Sequence, residues 1–414
     1  MMPAVKRERS LIMAVITVIG AGNGAHALAA DCKLGGAEVR MFEFTRFNNK
    51  VKGILKSHRI RLEGLEMNYE HFKRSGTAVL DMVTYDMAEA VHGADHILVS
   101  VQAQGFEQVF EELAPLLEDG QTVSIFPDNF GSLILRRIMR EKGIHTKVLI
   151  AGYDSLVYGA RLVEYNNMET ETDVVNITYR ENEIRVDTLP SSDYDAYLER
   201  CKEIPALDAT ELVHGDTALD ISISNVNPLL HVPCVVMNTG AIENWGLVPN
   251  LGAPDVYYDI YAFGCSPAVG EVQYAYYEDL VKITKAFGVG ICPVEKDALV
   301  SSRMGLIGQF FYGPDFRLPF TEPLDLNTWL PAPVGARFEL KSRYITEDVP
   351  VGCVTAINFA KLFNVDTPVL HAMTGLSNIM MKTDYYQQGY TMKDLGLDGM
   401  SAAEMVDYMR TGKI

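Results

Sequence analysis

The apolar run Ala14–Ile19 ends directly on Gly20-Ala21-Gly22-Asn23-Gly24-Ala25, and a helical pattern opens inside that glycine-rich turn. Strand, G-x-G-x-x-A turn and helix in this order leave a chain few folds. Gly20 permits the tight turn, Gly22 lets the backbone approach a pyrophosphate, and Ala25 lets helix and strand pack closely. The helix N-terminus offers unpaired N–H groups and the positive end of its dipole to phosphate. We read Gly20, Gly22, Asn23, Gly24 and Ala25 as cofactor-binding residues of a dinucleotide unit. Glu43 closes the next strand, 23 positions after Gly20. A carboxylate there accepts hydrogen bonds from ribose hydroxyls and repels the extra phosphate of NADP. The expected cofactor is NAD, with NADP left open by Arg46 and Lys50 just beyond. The plain alternative for Glu43 is a solvated acid at a strand end.

The rest of the first half repeats the alternation of short apolar runs and helical patterns that marks a parallel α/β sheet. Expected strands are Ala14–Ile19, Glu38–Glu43, His96–Val101, Thr122–Phe126 and Val148–Ala151, with helices over Gly24–Leu34, Phe106–Leu117 and Leu133–Lys142. Two loops at strand ends, Val101–Gly105 and Pro127–Ser132, stand where ligands bind in open sheets; ordinary strand-to-helix turns explain them equally. Arg161–Tyr165, Asp173–Tyr179 and Glu183–Asp187 are expected to finish the sheet as antiparallel strands or a hairpin. From about Asp208 strand signals fade and helical patterns take over, Val269–Phe287 and Ala356–Phe363 among them. The expected division is a Rossmann domain over residues 1–207, with 1–13 a tail, and a helical substrate and catalytic domain over 208–414. Five prolines between Pro314 and Pro333 exclude regular structure there and predict a long loop, a lid or a subunit contact.

Composition excludes several classes. The formal net charge of −18 repels phosphate backbones, so nucleic acid is not an expected partner. The apolar segment Leu11–Ala21, with basic residues before it, reads as a buried strand rather than a signal peptide or a span, because it leads straight into the glycine turn. Six scattered cysteines without a Cys-x-x-Cys pair suggest neither a zinc site nor a disulfide framework, only small buried residues in a reducing compartment. A cytoplasmic protein without a membrane partner and without a bound metal is the expectation.

Of nine histidines, His26 follows the glycine loop closely enough to orient it. His231 stands out in Ser224-Asn225-Val226-Asn227-Pro228-Leu229-Leu230-His231-Val232-Pro233, beside the apolar patch Val232–Met237. Alone it reads as a satisfied core histidine. Far along the chain, Arg343-Tyr344-Ile345-Thr346-Glu347-Asp348-Val349-Pro350 concentrates charge. With Gly22–His26, Asn225–His231, Arg343–Val349 and the Leu395–Gly399 close occurring in that order, the chain resembles the opine dehydrogenases, the octopine, nopaline and carboxyethyl-norvaline type, over roughly residues 14–410.

The resemblance implies an α/β fold, an N-terminal Rossmann dinucleotide-binding domain followed by an all-helical C-terminal domain, with substrates in the cleft between. It implies His231 and Asp348 as the catalytic pair and Arg343 near the cofactor pyrophosphate. Asn225, Asn227 and Asn129 are candidate substrate contacts. It also implies NAD(P)H-dependent condensation of an amino acid with a 2-oxo acid such as pyruvate, through an imine. Those two substrates are the expected partners, with a homodimer as the assembly to test. A departure concerns the long helix, where the family often has an acidic-x-Glu-Arg cluster and this chain has Tyr277-Glu278-Asp279-Leu280; substrate identity is what this affects. Chemically, His231 acts as general acid and base, while Asp348 fixes its tautomer and raises its pKa. The competing readings are another two-domain Rossmann reductase, of the 2-hydroxy-acid dehydrogenase or ketopantoate reductase type, and a non-catalytic nucleotide sensor. Ketopantoate reductases commonly use a helical-domain Lys, and residues 224–238 contain none.

Overall fold

The computed structural model describes residues 13–64, 74–248, 251, 258–313, 315–321 and 338–413. Most of the expected N-terminal tail, and Pro314, Pro323, Pro331 and Pro333 of the proline-rich loop, lie outside these residues. Twelve strands occur among the described residues: β1 (Val15–Ile19), β2 (Glu38–Phe42), β3 (Arg59–Gly64), β4 (Gly76–Val79), β5 (Met82–Thr84), β6 (His96–Val99), β7 (Thr122–Ile125), β8 (Leu149–Tyr153), β9 (Tyr158–Glu164), β10 (Thr172–Arg180), β11 (Glu183–Thr188) and β12 (Glu211–His214).

Eight of them form the main sheet in the order β12-β11-β8-β7-β6-β1-β2-β5. Every neighbouring pair is parallel except β8 with β11. The fold is the expected Rossmann sheet followed by helices, and the five strands expected in it are all present. The sheet gains one more strand, β12, after residue 207, and the helices of the second half begin at Ala218.

One expectation needs correction. Of the three late segments expected to finish the sheet, only β11 does so. β9 and β10 pair antiparallel with each other, but in a separate four-stranded sheet of order β4-β3-β10-β9. The reason lies in the helix after the glycine loop. Asn23–Leu34 reads NGAHALAADCKL, and every residue from Gly24 to Cys32 is buried. A helix without a polar face needs cover on all sides. β1 and β2 cover one side, and the second sheet covers the other.

Two polar ties fix this sandwich. His26 bonds the Gly22 carbonyl oxygen through Nδ1 at 3.1 Å and Asp173 of β10 through Nε2 at 3.0 Å. Asp31, with no exposed surface, receives Arg180 of β10 at 2.5 Å and Arg74 at 3.0 Å. One apolar core fills the space around this helix, between the two sheets. A second lies on the opposite face of the main sheet and continues unbroken into the helical half.

Removing one partner of a fully buried ion pair strands the other charge. Arg180→Met should therefore lower the unfolding free energy by about 3–5 kcal/mol, read from urea denaturation. A loss well under 1 kcal/mol would mean that Arg74 alone satisfies Asp31.

Candidate active site

At the glycine loop the three glycines have different jobs. Gly20 has φ +108°, and a Cβ there would meet the Ser100 carbonyl oxygen at 2.5 Å. A Cβ on Gly24 would meet Leu156 at 2.6 Å and Ser100 Oγ at 2.9 Å. Gly22 differs: its backbone is extended, and a Cβ would meet nothing within 4 Å. It faces open space in front of a twelve-residue helix whose N-cap supplies no side-chain hydrogen bond. Unpaired N–H groups beside an open approach fit a pyrophosphate.

Glu43 leans back onto the loop. Its Oε2 accepts from the Ala21 N–H at 3.0 Å and its Oε1 from the Phe44 N–H at 2.8 Å. Burial raises its pKa, against these two bonds. Asn23 Oδ1 accepts from the Leu162 N–H at 3.1 Å, so this residue also anchors β9 beside the loop. Ala25 is fully buried at the close contact of helix and strand.

The second half brings its two distant segments together. The helix Val226–Met237 carries His231, and its cap is Asn225, whose Oδ1 accepts from the Asn227 N–H at 3.0 Å. Pro228 sits in the first turn, where a missing N–H costs nothing. Opposite runs a π-helical turn, Asp348–Val354, containing Pro350. Such wide turns are rare and frequently lie at functional sites. The two elements touch where a Cβ on Gly352 would lie 2.5 Å from Pro228 Cγ. That close approach sets Asp348 against the imidazole: His231 Nδ1 and Asp348 Oδ2 are 2.6 Å apart. The Tyr344 ring stacks on His231 with centroids 3.6 Å apart.

A residue not singled out from the sequence completes the cluster. The Tyr261 hydroxyl lies 2.7 Å from His231 Nε2 and 3.2 Å from the Tyr344 hydroxyl. Tyr261 belongs to the short helix Ile260–Gly264, capped by Asp259. An isolated tyrosine carries no motif, so only the fold reveals it.

The net shift of His231 is downward. Burial pulls its pKa below the ordinary imidazole value; Asp348 acts in the expected upward direction, through charge and hydrogen bond, but does not prevail, and Arg343 and Arg161 add to the lowering. His231 therefore rests neutral. Burial also raises Tyr261 well above the usual phenol range, with Tyr344 adding to the shift.

The asparagines form a group of their own. Asn225 Nδ2 donates to Asn129 Oδ1 at 2.7 Å, and Asn227 Nδ2 donates to Asn225 Oδ1 at 2.9 Å. Asn129 and Asn225 line a small cavity with Phe130, Pro228, Tyr276 and Leu280, and no hydrogen bond joins this group to His231 or Asp348. Asp279, next to Leu280, is spent on structure: it accepts from the Val369 and Leu370 N–H groups at 2.8 and 3.3 Å, capping the helix Pro368–Met381. Arg343 carries open surface yet is surrounded by protein, as a side chain lining a cleft is. Burial acts to lower its pKa, but Tyr344, Glu347 and Asp348 outweigh it and the net shift is upward. Among the described residues no hydrogen bond links Arg343 to the glycine loop.

Both loops at the sheet edge hold the helical half in place. The Ala103 N–H donates to Glu347 Oε1 at 2.8 Å, Gln104 Nε2 to the Thr346 carbonyl oxygen at 2.8 Å, and the Tyr390 hydroxyl to the Ala103 carbonyl oxygen at 2.8 Å. In the other loop, Asn129 and Phe130 have φ +42° and +66°. Two successive left-handed residues other than glycine are strained. They are held by Asn225 and by Ser222, whose Oγ accepts from the Phe130 N–H at 2.8 Å. Among the described residues no group of three or more His, Cys, Asp and Glu is arranged to hold a metal.

Comparison with known proteins decides what this arrangement belongs to. The profile of the alpha-helical domain of NAD/NADP octopine/nopaline dehydrogenases matches residues 214–381. That of the NAD-dependent glycerol-3-phosphate dehydrogenase N-terminus matches residues 15–127. An opine dehydrogenase of Arthrobacter sp. (strain 1C) is 27% identical over 390 residues, 93% of this chain and 96% of that protein. Over nearly its whole length the chain is similar to opine dehydrogenases, and its residues 214–381 match their helical domain. It is an NAD(P)-dependent oxidoreductase acting on CH–NH groups. An opine dehydrogenase of Haliotis discus hannai is 22% identical, covering 85% of this chain and 86% of that one. In structure the chain is similar to an octopine dehydrogenase solved with NADH and agmatine, with a TM-score of 0.66 and 16% identity over 97% of this chain and 98% of the other. Among the described residues no helix is long and apolar enough to cross a membrane.

The open side of Gly22 yields a sharp test. Gly22→Val puts its side chain into the pyrophosphate approach from a Cβ with nothing within 4 Å, so nucleotide affinity should fall by roughly a hundredfold, as when charge-assisted contacts are lost, with thermal stability little changed. Calorimetry showing unaltered NADH affinity would contradict this mode of binding.

Proposed function

We propose that this chain catalyses the reductive condensation of an amino acid with a 2-oxo acid such as pyruvate, giving an N-(carboxyalkyl)amino acid. The observation that carries the reading is the His231–Asp348 pair, held at 2.6 Å across 117 residues of chain, on a segment that the neighbouring Glu347 ties to the dinucleotide domain. Octopine dehydrogenase solved with NADH and pyruvate has this fold, and its ligands suggest the two substrates. The first half, with Gly20, Gly22, Asn23, Gly24, Ala25 and Glu43, holds the cofactor, and the second half holds the substrates. When bound, the reduced nicotinamide supplies the hydride that reduces the imine.

The chain's own residues manage protons. A carboxylate only accepts hydrogen bonds, so Nδ1 of His231 carries its proton toward Asp348 and Nε2 is left as the base. Neutral His231 takes a proton as the amino acid's ammonium becomes a nucleophilic amine. Asp348 stabilises the imidazolium, which then returns the proton to the hydroxyl that leaves as water. Glu43 favours NADH over NADPH. Asn225 and Asn227 of the helical half meet Asn129 of the sheet-edge loop, and these three are the substrate contacts. We place the enzyme in the cytoplasm, where its described cysteines, all unpaired, stay reduced, and we propose a homodimer, to be tested by light scattering.

The test is a matrix of amino acids against 2-oxo acids, following loss of NADH. Turnover should require both partners; equal loss with the 2-oxo acid alone would make the chain a hydroxy-acid dehydrogenase. His231→Ala should reduce kcat by roughly 10²–10⁴-fold with NADH affinity kept. Asp348→Asn removes the charge that supports the imidazolium, so the apparent pKa of His231 falls further and the acid limb of the pH–rate profile moves to lower pH. The double variant should be little slower than the worse single one. Multiplying losses, or a silent Asp348→Asn, would show that the two residues do not act as a pair.

A further inference from the structure

His231 is only 2% exposed. Its Nδ1 side is closed by Asp348, one ring face by Tyr344, and its Nε2 edge by the Tyr261 hydroxyl at 2.7 Å. The nitrogen that must exchange protons with substrate therefore touches a phenol. Tyr261 is half-buried, whereas the imidazole it touches is buried. Because Nε2 of the neutral ring accepts, Tyr261 O–H is the donor in that bond, and the Tyr344 hydroxyl donates to Tyr261 in turn. Resting on the reaction proposed above, we infer that Tyr261 is a catalytic residue whose hydroxyl carries protons between His231 Nε2 and the substrate.

The relay conserves protons in both directions. As the amine forms, the substrate ammonium gives a proton to the Tyr261 oxygen while the phenolic proton passes to Nε2, leaving an amine lone pair and an imidazolium. After the amine has added to the keto carbon and one of its N–H protons has shifted to the new alkoxide, Nε2–H returns its proton to the Tyr261 oxygen, and the phenolic proton passes to the carbinolamine hydroxyl. The C–O bond breaks, water leaves, the nitrogen lone pair forms the C=N bond of an iminium, and His231 is neutral again. Tyr261 begins and ends each step as a phenol. Its surroundings favour that: burial, the Tyr344 hydroxyl and Tyr179 disfavour a phenolate, with only the Arg161 guanidinium opposing. Around the imidazole the charged groups are Asp348, Arg343 and Arg161.

Tyr261→Phe keeps the ring and removes only the relay. With an amino acid and 2-oxo acid pair that the wild type converts, kcat should fall about a hundredfold, while KM and NADH affinity stay within about threefold. His231→Ala combined with Tyr261→Phe should be no slower than His231→Ala alone. In the substrate-free protein, the ¹⁵N resonance of His231 Nε2 should move on Tyr261→Phe. A kcat within threefold of wild type, a change confined to KM, or an unmoved Nε2 resonance would overturn the assignment. If the wild type converts no such pair, the reading of the reaction fails, and the resonance alone still decides whether Tyr261 holds Nε2.

Discussion

Two adjacent carboxylates pull in different directions, and the cleft depends on both. Glu347 reaches back to the Ala103 N–H of the dinucleotide domain, and Asp348 reaches forward to His231 of the helical half. They sit where the short helix Arg343–Thr346 gives way to the π-helical turn. A regular α-helix turns successive side chains by about 100°, so the two acids naturally face different partners; the wide turn, with Pro350 in it, lets the chain continue past Gly352 and Pro228 without a clash. Crowding two acids is costly: burial, with Asp348 beside it, raises Glu347 to a pKa of about 7. The arrangement couples the position of the first domain to the orientation of the imidazole through one peptide unit.

The other rigid reference is the sandwich around Asn23–Leu34. The turn that faces the pyrophosphate approach is tied to the second sheet by His26 and Asp173 and by Asn23 and Leu162, and to the main sheet by Glu43 and Ala21. Glu43 thus has a structural task that its strand-end position did not reveal, alongside the ribose contact proposed for it. Because β9 also bears Arg161, the sheet that steadies the cofactor loop brings a positive charge near His231 and Tyr261.

What the sequence disclosed follows the reach of its signals. The glycine loop, the parallel strands and the long helix Pro267–Phe287 are written in local periodicity, and their ends shift by only a few residues. His231 and Asp348 became visible only through ordered motifs, since nothing local says that residues so far apart meet. The second sheet stayed hidden because the pairing that joins its two halves, β3 with β10, links segments about a hundred residues apart in the chain. Its one clue was the missing polar face of the first helix. The net direction of the His231 shift was not legible, because a neighbouring acid can be read from sequence and burial cannot. Tyr261 was missed for the same reason: thirty residues from His231, one of twenty tyrosines, it is distinguished by place alone.

The helix without an outward face has a consequence for how such a protein can change over time. On an ordinary helix, solvent absorbs most variation on one side, so mutations accumulate there unnoticed. Ala25, Ala27, Ala29 and Ala30 have no such outlet, each being fully buried between two sheets. A single added methylene must be matched by a loss on one sheet or by a shift of both, and close-packed interiors resist either. Drift in this stretch can proceed only by concerted exchange across three elements, which slows its divergence on physical grounds alone.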